Sequence, residues 1–230
     1  SIERRGKNVL LRLDAERILV VNLGMTGRLL VLLPEGPPPI FFPTHPALRF
    51  DLTGGGALVF DDIRRFGAVE CLSEDAWEER SRALGPEPLS DDFTIPGLVD
   101  GLSRSRTPVR AWLLDQRKVA GVGNIYAAEA LWRAGVHPRR PAREVQAAEA
   151  HLLHQAIRDV LTTAVEARGT TLRDYRTADG TKGSFALSLA VYGREHAPCP
   201  RCGTPVERIV FGNRSAFFCP KCQPEQVERP

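Results

Sequence analysis

At 230 residues, with 43% apolar and 26% charged residues, the chain is long enough for one large or two modest globular domains plus a small appendage. Its longest apolar runs, 18–23 and 29–33, fall far short of the ~20 residues a membrane helix needs, so no membrane partner is expected. The formal net charge is only +3, but residues 70–92 hold eight acids against two bases and residues 100–144 nine bases against four acids, which points to an anionic partner for the second stretch as an alternative to a merely solvated face.

Residues 2–5 open on a strand pattern, and up to residue 72 short β-prone runs at 9–13, 18–23, 28–33, 47–52, 57–60 and 68–72 are broken by Gly and Pro. This predicts an antiparallel sandwich or barrel. Thr53-Gly54-Gly55-Gly56 reads as a hairpin turn and residues 34–39 as a stiff irregular loop. A short acidic helix is expected over 75–84, broken by Gly85-Pro86-Glu87-Pro88, with residues 85–97 as a linker. Beyond Pro96 the period becomes helical, over 109–119, 124–134 and 145–168, with Gly169 placed as a C-cap. His151 and His154 lie three apart on the last helix, but no third ligand accompanies them and a solvated face is the expectation. Cys71, alone in a strand, is expected to be a buried thiol. Residues 169–190 read as a loop, with turn signals at Asp179-Gly180 and Lys182-Gly183.

Cys199-Pro200-Arg201-Cys202 and Cys219-Pro220-Lys221-Cys222 form two Cys-x-x-Cys knuckles. Each knuckle presents two sulfurs to one ion, and the stretch between them fits a β-hairpin turning at Gly212-Asn213. One structural Zn²⁺ on Cys199, Cys202, Cys219 and Cys222 is the expectation; two disulfides are the alternative. A ribbon this small buries little core, so the metal would supply its folding energy.

Ala120-Gly121-Val122-Gly123-Asn124 joins two predicted helices, with Arg104, Arg106, Arg110, Arg117 and Lys118 upstream. No strand precedes this Gly-x-Gly and the third glycine is missing, so a dinucleotide loop fits poorly. A helix–turn–helix with a phosphate at the second helix's N-terminus fits better; a plain helical hairpin with close-packed glycines is the alternative. In the β region, Leu23-Gly24-Met25-Thr26-Gly27 and Asp62-Ile63-Arg64-Arg65-Phe66-Gly67 supply apolar, aromatic and guanidinium side chains of the kind that wedge between base steps. In isolation each loop would pass for core or turn.

Taken in order, Arg5-Gly6-Lys7, the Leu-Gly-Met-Thr-Gly loop, Arg64-Arg65-Phe66-Gly67, Leu84-Gly85-Pro86-Glu87-Pro88-Leu89, the run from Leu114 through Gly121-Val122-Gly123-Asn124-Ile125-Tyr126 to Glu129, Gly169-Thr170-Thr171-Leu172-Arg173-Asp174, Val191-Tyr192-Gly193-Arg194 and the four cysteines resemble the Fpg/Nei family of formamidopyrimidine-DNA glycosylases. The resemblance implies a β-sandwich domain (1–84), a linker (85–97), a helical helix–two-turn–helix domain (98–190) with a lesion-closing loop at about 170–185, and a zinc ribbon (191–230). It implies a monomeric, cytoplasmic base-excision enzyme acting on double-stranded DNA with oxidised bases. The resemblance further implies a bifunctional reaction in which an N-terminal proline amine attacks the sugar C1′, the base leaves, and the Schiff base drives β- and δ-elimination. Residue by residue, Lys7 matches the lysine of the β-elimination step and Arg214 the ribbon arginine of δ-elimination. His45, Arg64 and Arg106 match DNA contacts, Asn124 a phosphate ligand, and Met25, Arg64 and Phe66 the void-filling and wedge side chains. A zinc-stabilised DNA-binding paralogue without catalysis and a Nei-type enzyme for oxidised pyrimidines are the alternatives.

The family opens Pro-Glu-Leu-Pro-Glu, and these 230 residues contain no such segment. Truncation is the expected reason, a paralogue lacking the nucleophile the alternative. An α-amino group titrates near 8 and an ordinary lysine above 10, so the proline amine is the better nucleophile at neutral pH. The 230-residue chain is expected to give no borohydride-trapped adduct with a lesion duplex, whereas a chain extended by the family's opening segment is expected to give one. An adduct from the unextended chain would refute the missing-nucleophile expectation.

Overall fold

The structure is a computed structural model and describes residues 1–35, 42–169, 185–211 and 213–225. The chain divides into two compact units, Ser1–Arg82 with Ala164–Leu187, and Ala83–Thr163 with Ser188–Pro230.

In the first unit, β1 (Ile2–Arg5), β2 (Asn8–Arg12), β3 (Arg17–Asn22) and β7 (Ala68–Ser73) form an antiparallel sheet in the order β1-β2-β3-β7. A second antiparallel sheet has the order β4-β6-β5, from Gly27–Leu32, Ala57–Asp62 and Pro46–Asp51. The period-two pattern sorts the apolar side chains onto two faces. Leu19 and Val21 pack with Phe60, Val9, Leu11 and Leu29 between the sheets, which makes the sandwich. Ile18 and Val20 take the other face with Leu10, under Trp77 of α1 (Glu74–Arg82). Cys71 is exposed, contrary to expectation, because β7 ends its sheet and its burial pattern leaves most of the strand open.

The second unit holds α2 (Ile95–Ser103), α3 (Val109–Leu114), α4 (Asn124–Ala134) and most of α5 (Ala147–Glu166). Leu98 and Leu102 of α2, Val109, Trp112 and Leu113 of α3, Ala127 and Leu131 of α4, and Leu153 and Ile157 of α5 share one core, at the helical spacing of three and four. Helix α2 starts inside the stretch read as linker. Thr94 caps it, the hydroxyl accepting from the Gly97 amide at 3.2 Å, and Pro96 sits in its first turn. Helix α3 is shorter than its apolar spacing predicts. It stops at Asp115, and Val119 reaches the core from the following turn rather than from a longer helix.

Between α3 and α4 the backbone turns around Gln116. Its amide donates to the Leu114 and Val122 carbonyls at 2.9 and 3.0 Å, and its Oε1 accepts from Gly121 N at 2.8 Å. The His154 ring is engaged in packing: it stacks on Phe93, 4.7 Å between centroids, with Nε2 2.7 Å from the Phe93 carbonyl. It is half-buried, so the solvated face holds for His151 alone.

Glu129 of α4 is buried at 1% exposure, and its carboxylate accepts the amides of Ala190, Val191 and Tyr192 at 2.9–3.0 Å. That carboxylate docks the segment leading into the ribbon onto α4. In Glu129→Gln one acceptor oxygen becomes a donor facing a backbone N–H, and an orphaned buried donor costs about 1–3 kcal/mol. Urea unfolding followed by tryptophan fluorescence should show that loss of stability; an unchanged midpoint would remove Glu129 from this role.

Candidate nucleic-acid interface

The ribbon is a hairpin of β8 (Glu207–Phe211) and β9 (Arg214–Phe218), with Phe211 opposite Arg214 in the register. Asn213 has φ of +57°, in keeping with the expected turn, while Gly212 lies outside the described residues. The four Sγ atoms of Cys199, Cys202, Cys219 and Cys222 lie within 4.8 Å of one another, and the pairs Cys199–Cys222 and Cys202–Cys219 stand 3.9 and 3.5 Å apart. Zn–S bonds of about 2.3 Å in a tetrahedron put the sulfurs about 3.8 Å apart, so the cluster fits one zinc with all four positions filled by thiolate. Such a site is structural, with no open position for a substrate.

The metal knuckles are fastened to α4. The Trp132 indole N–H donates to Cys199 Sγ at 3.4 Å, and the Arg201 guanidinium stacks over the Trp132 ring, 4.6 Å from its centroid. Gln223, fully buried, accepts from Cys219 N at 3.0 Å and donates to the Val136 carbonyl just past α4 at 2.8 Å. The ribbon therefore has a fixed position on the helix that follows the glycine-rich turn.

That docking brings Asn124 and Arg214 together around one of the five bases that the sequence placed upstream of the glycine-rich turn. Arg110 of α3 is 2% exposed, and its Nη2 donates to Asn124 Oδ1 at 2.6 Å and to the Ser215 carbonyl at 2.9 Å. The same guanidinium covers Phe211, 4.8 Å from the ring centroid. Asn124 completes the knot, its Nδ2 donating to the same Ser215 carbonyl at 3.1 Å, which leaves one amide hydrogen uncommitted by that bond. Burial, followed by the positive charge of Arg214, lowers the pKa of Arg110. Arg214 itself is exposed and shares with Arg110, Phe211, Leu114, Ala111 and Asp115 the lining of a cavity of about 330 Å³. Helix α4 begins at Asn124 without a side-chain cap, so its first-turn amides add partial positive charge to two guanidiniums. One arginine is held by these bonds and the other reaches into water, both beside the uncapped helix start.

Arg106 is exposed, in the segment before α3, with Ser105 and Thr107 on either side accepting backbone bonds from Arg143 and Ala142. It is therefore presented from a pinned backbone.

In the first unit, Met25, His45, Arg64 and Phe66 belong to loops that converge on the buried pair Asp61 and Asp62. His45 N donates to Asp61 Oδ1 at 2.5 Å, and Asp62 N donates to the His45 carbonyl at 3.1 Å. Thr26 donates its hydroxyl to Asp62 Oδ1 at 2.5 Å and accepts from Arg64 N at 3.1 Å, which joins the Met25 loop to the Arg64 loop. The two loops touch through backbone. At Gly24 (φ +59°) a Cβ would meet Gly67 N at 2.8 Å, and at Gly67 one would meet Asn22 O at 2.7 Å. Met25 and Phe66 are left 58% and 62% exposed, apolar side chains offered to solvent, and the Arg64 guanidinium stacks over Phe66 at 4.7 Å. Lys7 is exposed in the β1–β2 turn next to Asn8, whose Oδ1 accepts from Asn22, and Asn22 Oδ1 in turn accepts from Gly24 N at 3.0 Å. The lysine and the apolar loop thus occupy the same end of this unit. Of the loop expected at about 170–185, all but residue 185 lies outside the described residues; the flanking Phe185 N and Gly169 O are bonded at 3.3 Å.

Comparison with known proteins gives three family matches along the chain. Residues 1–69 match the formamidopyrimidine-DNA glycosylase N-terminal domain, residues 84–176 the formamidopyrimidine-DNA glycosylase H2TH domain, and residues 198–224 the zinc finger found in FPG and IleRS. The formamidopyrimidine-DNA glycosylase of Chloroflexus aggregans is 45% identical over 223 residues, 97% of this chain and 80% of that protein. Among solved structures, the MutM (Fpg) protein of Thermus thermophilus is similar with a TM-score of 0.87 and 46% identity over 99% of this chain and 83% of the other. A mutant Lactococcus lactis FPG in complex with Fapy-dG containing DNA is similar with a TM-score of 0.88 and 31% identity, covering 97% and 81%.

One zinc per chain is expected by elemental analysis, lost when Cys199, Cys202, Cys219 and Cys222 are all changed to Ser. Removing the metal with a chelator should also shift the emission of Trp132, whose N–H donates to a metal-site sulfur. Absence of metal, or zinc retained by the fourfold variant, would contradict the assignment.

Proposed function

The chain belongs to the formamidopyrimidine-DNA glycosylase family of base-excision repair enzymes, and from that membership we propose how its residues divide the work of finding, holding and cutting at an oxidised base. The substrate is double-stranded DNA carrying 8-oxoguanine or a formamidopyrimidine. The observation that carries this reading is the knot of Arg110, Asn124 and the Ser215 carbonyl beside exposed Arg214 at an uncapped helix start.

A phosphate at this point meets the free N–H of Asn124, the first-turn amides of α4 and the Arg214 guanidinium. Backbone contacts of this kind set register on the duplex without reading sequence. Arg106 adds a further phosphate contact on the same unit, and His45 and Arg64 add contacts from the β unit. Met25, Arg64 and Phe66 are the wedge. An apolar side chain inserted between base steps unstacks them, and the unstacking costs least at a damaged or mismatched base, so the wedge is also a source of selectivity.

Elimination at the resulting abasic sugar removes a ring-opened sugar proton at each step and expels first the 3′ and then the 5′ phosphate. Each expelled phosphate keeps the electron pair of its broken C–O bond, so a cation beside it stabilises the departing group. Lys7 takes that place at β-elimination and Arg214 at δ-elimination. The zinc holds the hairpin that carries Arg214 and takes no part in bond breaking. A four-thiolate site needs reduced cysteines, which supports a cytoplasmic location, and no helix among the described residues is long and apolar enough to cross a membrane.

The test is binding of a duplex with a tetrahydrofuran abasic analogue against the same duplex undamaged, by fluorescence anisotropy across a salt series. The lesion duplex should bind more tightly, and both affinities should fall as salt rises. Arg214→Ala should flatten the log–log salt slope by about 0.9, the value of one neutralised phosphate. Asn124→Ala, which removes no charge, should weaken both duplexes about tenfold and leave the slope alone. Equal affinity for the two duplexes, or no response to salt, would overturn the reading.

A further inference from the structure

Asp62 is a fully buried carboxylate that the proposed mechanism does not use. No cation is paired with it among the described residues; the neighbouring Arg28 is directed to Asp61, Nη2 to Oδ2 at 3.2 Å. It is surrounded instead by donors from two loops. Thr26 Oγ1 and Arg64 N donate to Oδ1 at 2.5 and 3.2 Å, and Gly67 N donates to Oδ2 at 2.8 Å. Burial by itself would raise its pKa, but the Thr26 hydroxyl and the loop amides outweigh that and hold it below the usual carboxylate value. The backbone bends to serve this anion: Arg65 takes φ of +58°, a conformation an L residue adopts at some cost, and the adjacent Arg64 amide is shared with Thr26.

The donors belong to the residues next to the wedge. Thr26 follows Met25, and Arg64, Arg65 and Gly67 flank Phe66. A loop that must force two stacked base pairs apart loses that force if it yields first, so the wedge needs a rigid mount. We infer that Asp62 is the positioning residue for damage recognition: its carboxylate locks the Met25 and Arg64–Phe66 loops into one rigid tool through Thr26 and the loop amides. This rests on the reading of Met25, Arg64 and Phe66 as the wedge. An asparagine has the same shape but would turn an NH2 toward at least one of the three donors, so the loops would have to separate or rotate.

The experiment uses the zinc-loaded protein and a duplex with 2-aminopurine beside a tetrahydrofuran site, whose fluorescence rises when the neighbouring step is unstacked. Asp62→Asn should lose more than half of that rise at saturating protein and weaken lesion binding about tenfold, with undamaged duplex within about twofold of the parent. Thr26→Val should move in the same direction and Thr26→Ser should restore the parent behaviour. Phe66→Ala is the reference. If it keeps the full rise and the lesion preference, the wedge reading fails. If it loses both while Asp62→Asn and Thr26→Val behave as the parent, the inference about Asp62 fails alone. Equal weakening of both duplexes by Asp62→Asn, with a lowered urea midpoint, would reduce Asp62 to a structural residue and also overturn the inference.

Discussion

A charge taken out of water must recover its hydration from the protein, or it costs several kcal/mol. Both units of this chain bury such charges next to the exposed residues proposed to contact DNA. Arg110 recovers part of its hydration through Nη2, from Asn124 and the Ser215 carbonyl, and from the Phe211 face, while its Nε is buried without a hydrogen-bond partner. Asp62 does so from Thr26 and the amides of the Arg64–Gly67 loop. In each case the groups satisfying the buried charge flank an exposed residue, Arg214 in one and Met25 and Phe66 in the other. The cost of burying the charge thereby becomes a constraint on the geometry of residues that have no packing of their own to hold them.

The ribbon follows the same logic with a metal in place of a charge. Four thiolates around one ion give a small hairpin the stability its core lacks. Trp132 and Gln223 then tie the knuckles to α4 and to the turn after it, and Glu129 ties down the approach. Two of these attachments are made to the helix whose first residue is Asn124, and the third to Val136 just beyond its end. Arg214 is therefore held near α4 by contacts at the helix's far end and by the Arg110 bond to Ser215 at its near end, two supports about one helix length apart.

Much of this was legible in the chain. Short β-prone runs broken by Gly and Pro placed the strands to within a residue or two, and the Cys-x-x-Cys spacing identified the metal ligands, because both signals are local. Helix α2 was missed because Pro96, Gly97 and Gly101 weaken its propensity, and it is the Thr94 cap and burial of Leu98 and Leu102 that carry it. Helix α3 was read too long because Val119 belongs to the same core but arrives from a turn. Cys71 was read as buried from its strand, although its place at the edge of the sheet, which no local pattern reports, leaves it in solvent.

The supports of the site were the hardest to read, and for a physical reason. Arg110 stood in a basic run where every residue would pass as surface charge, and Asp62 preceded two arginines as a surface acid commonly does. What makes each of them special is the set of donors or acceptors it meets: Arg110 is answered by Ser215, 105 positions away, and Asp62 by Thr26, 36 positions away. Such pairings leave no period and no motif. They do leave a trace in the residues around them. A threonine flanked by glycines and an acid followed by a glycine five residues on are the elements of two loops packed backbone to backbone, and close backbone packing leaves polar groups that only a buried side chain can satisfy. An exposed Met and Phe between such glycines therefore imply a buried anchor nearby, whichever residue supplies it.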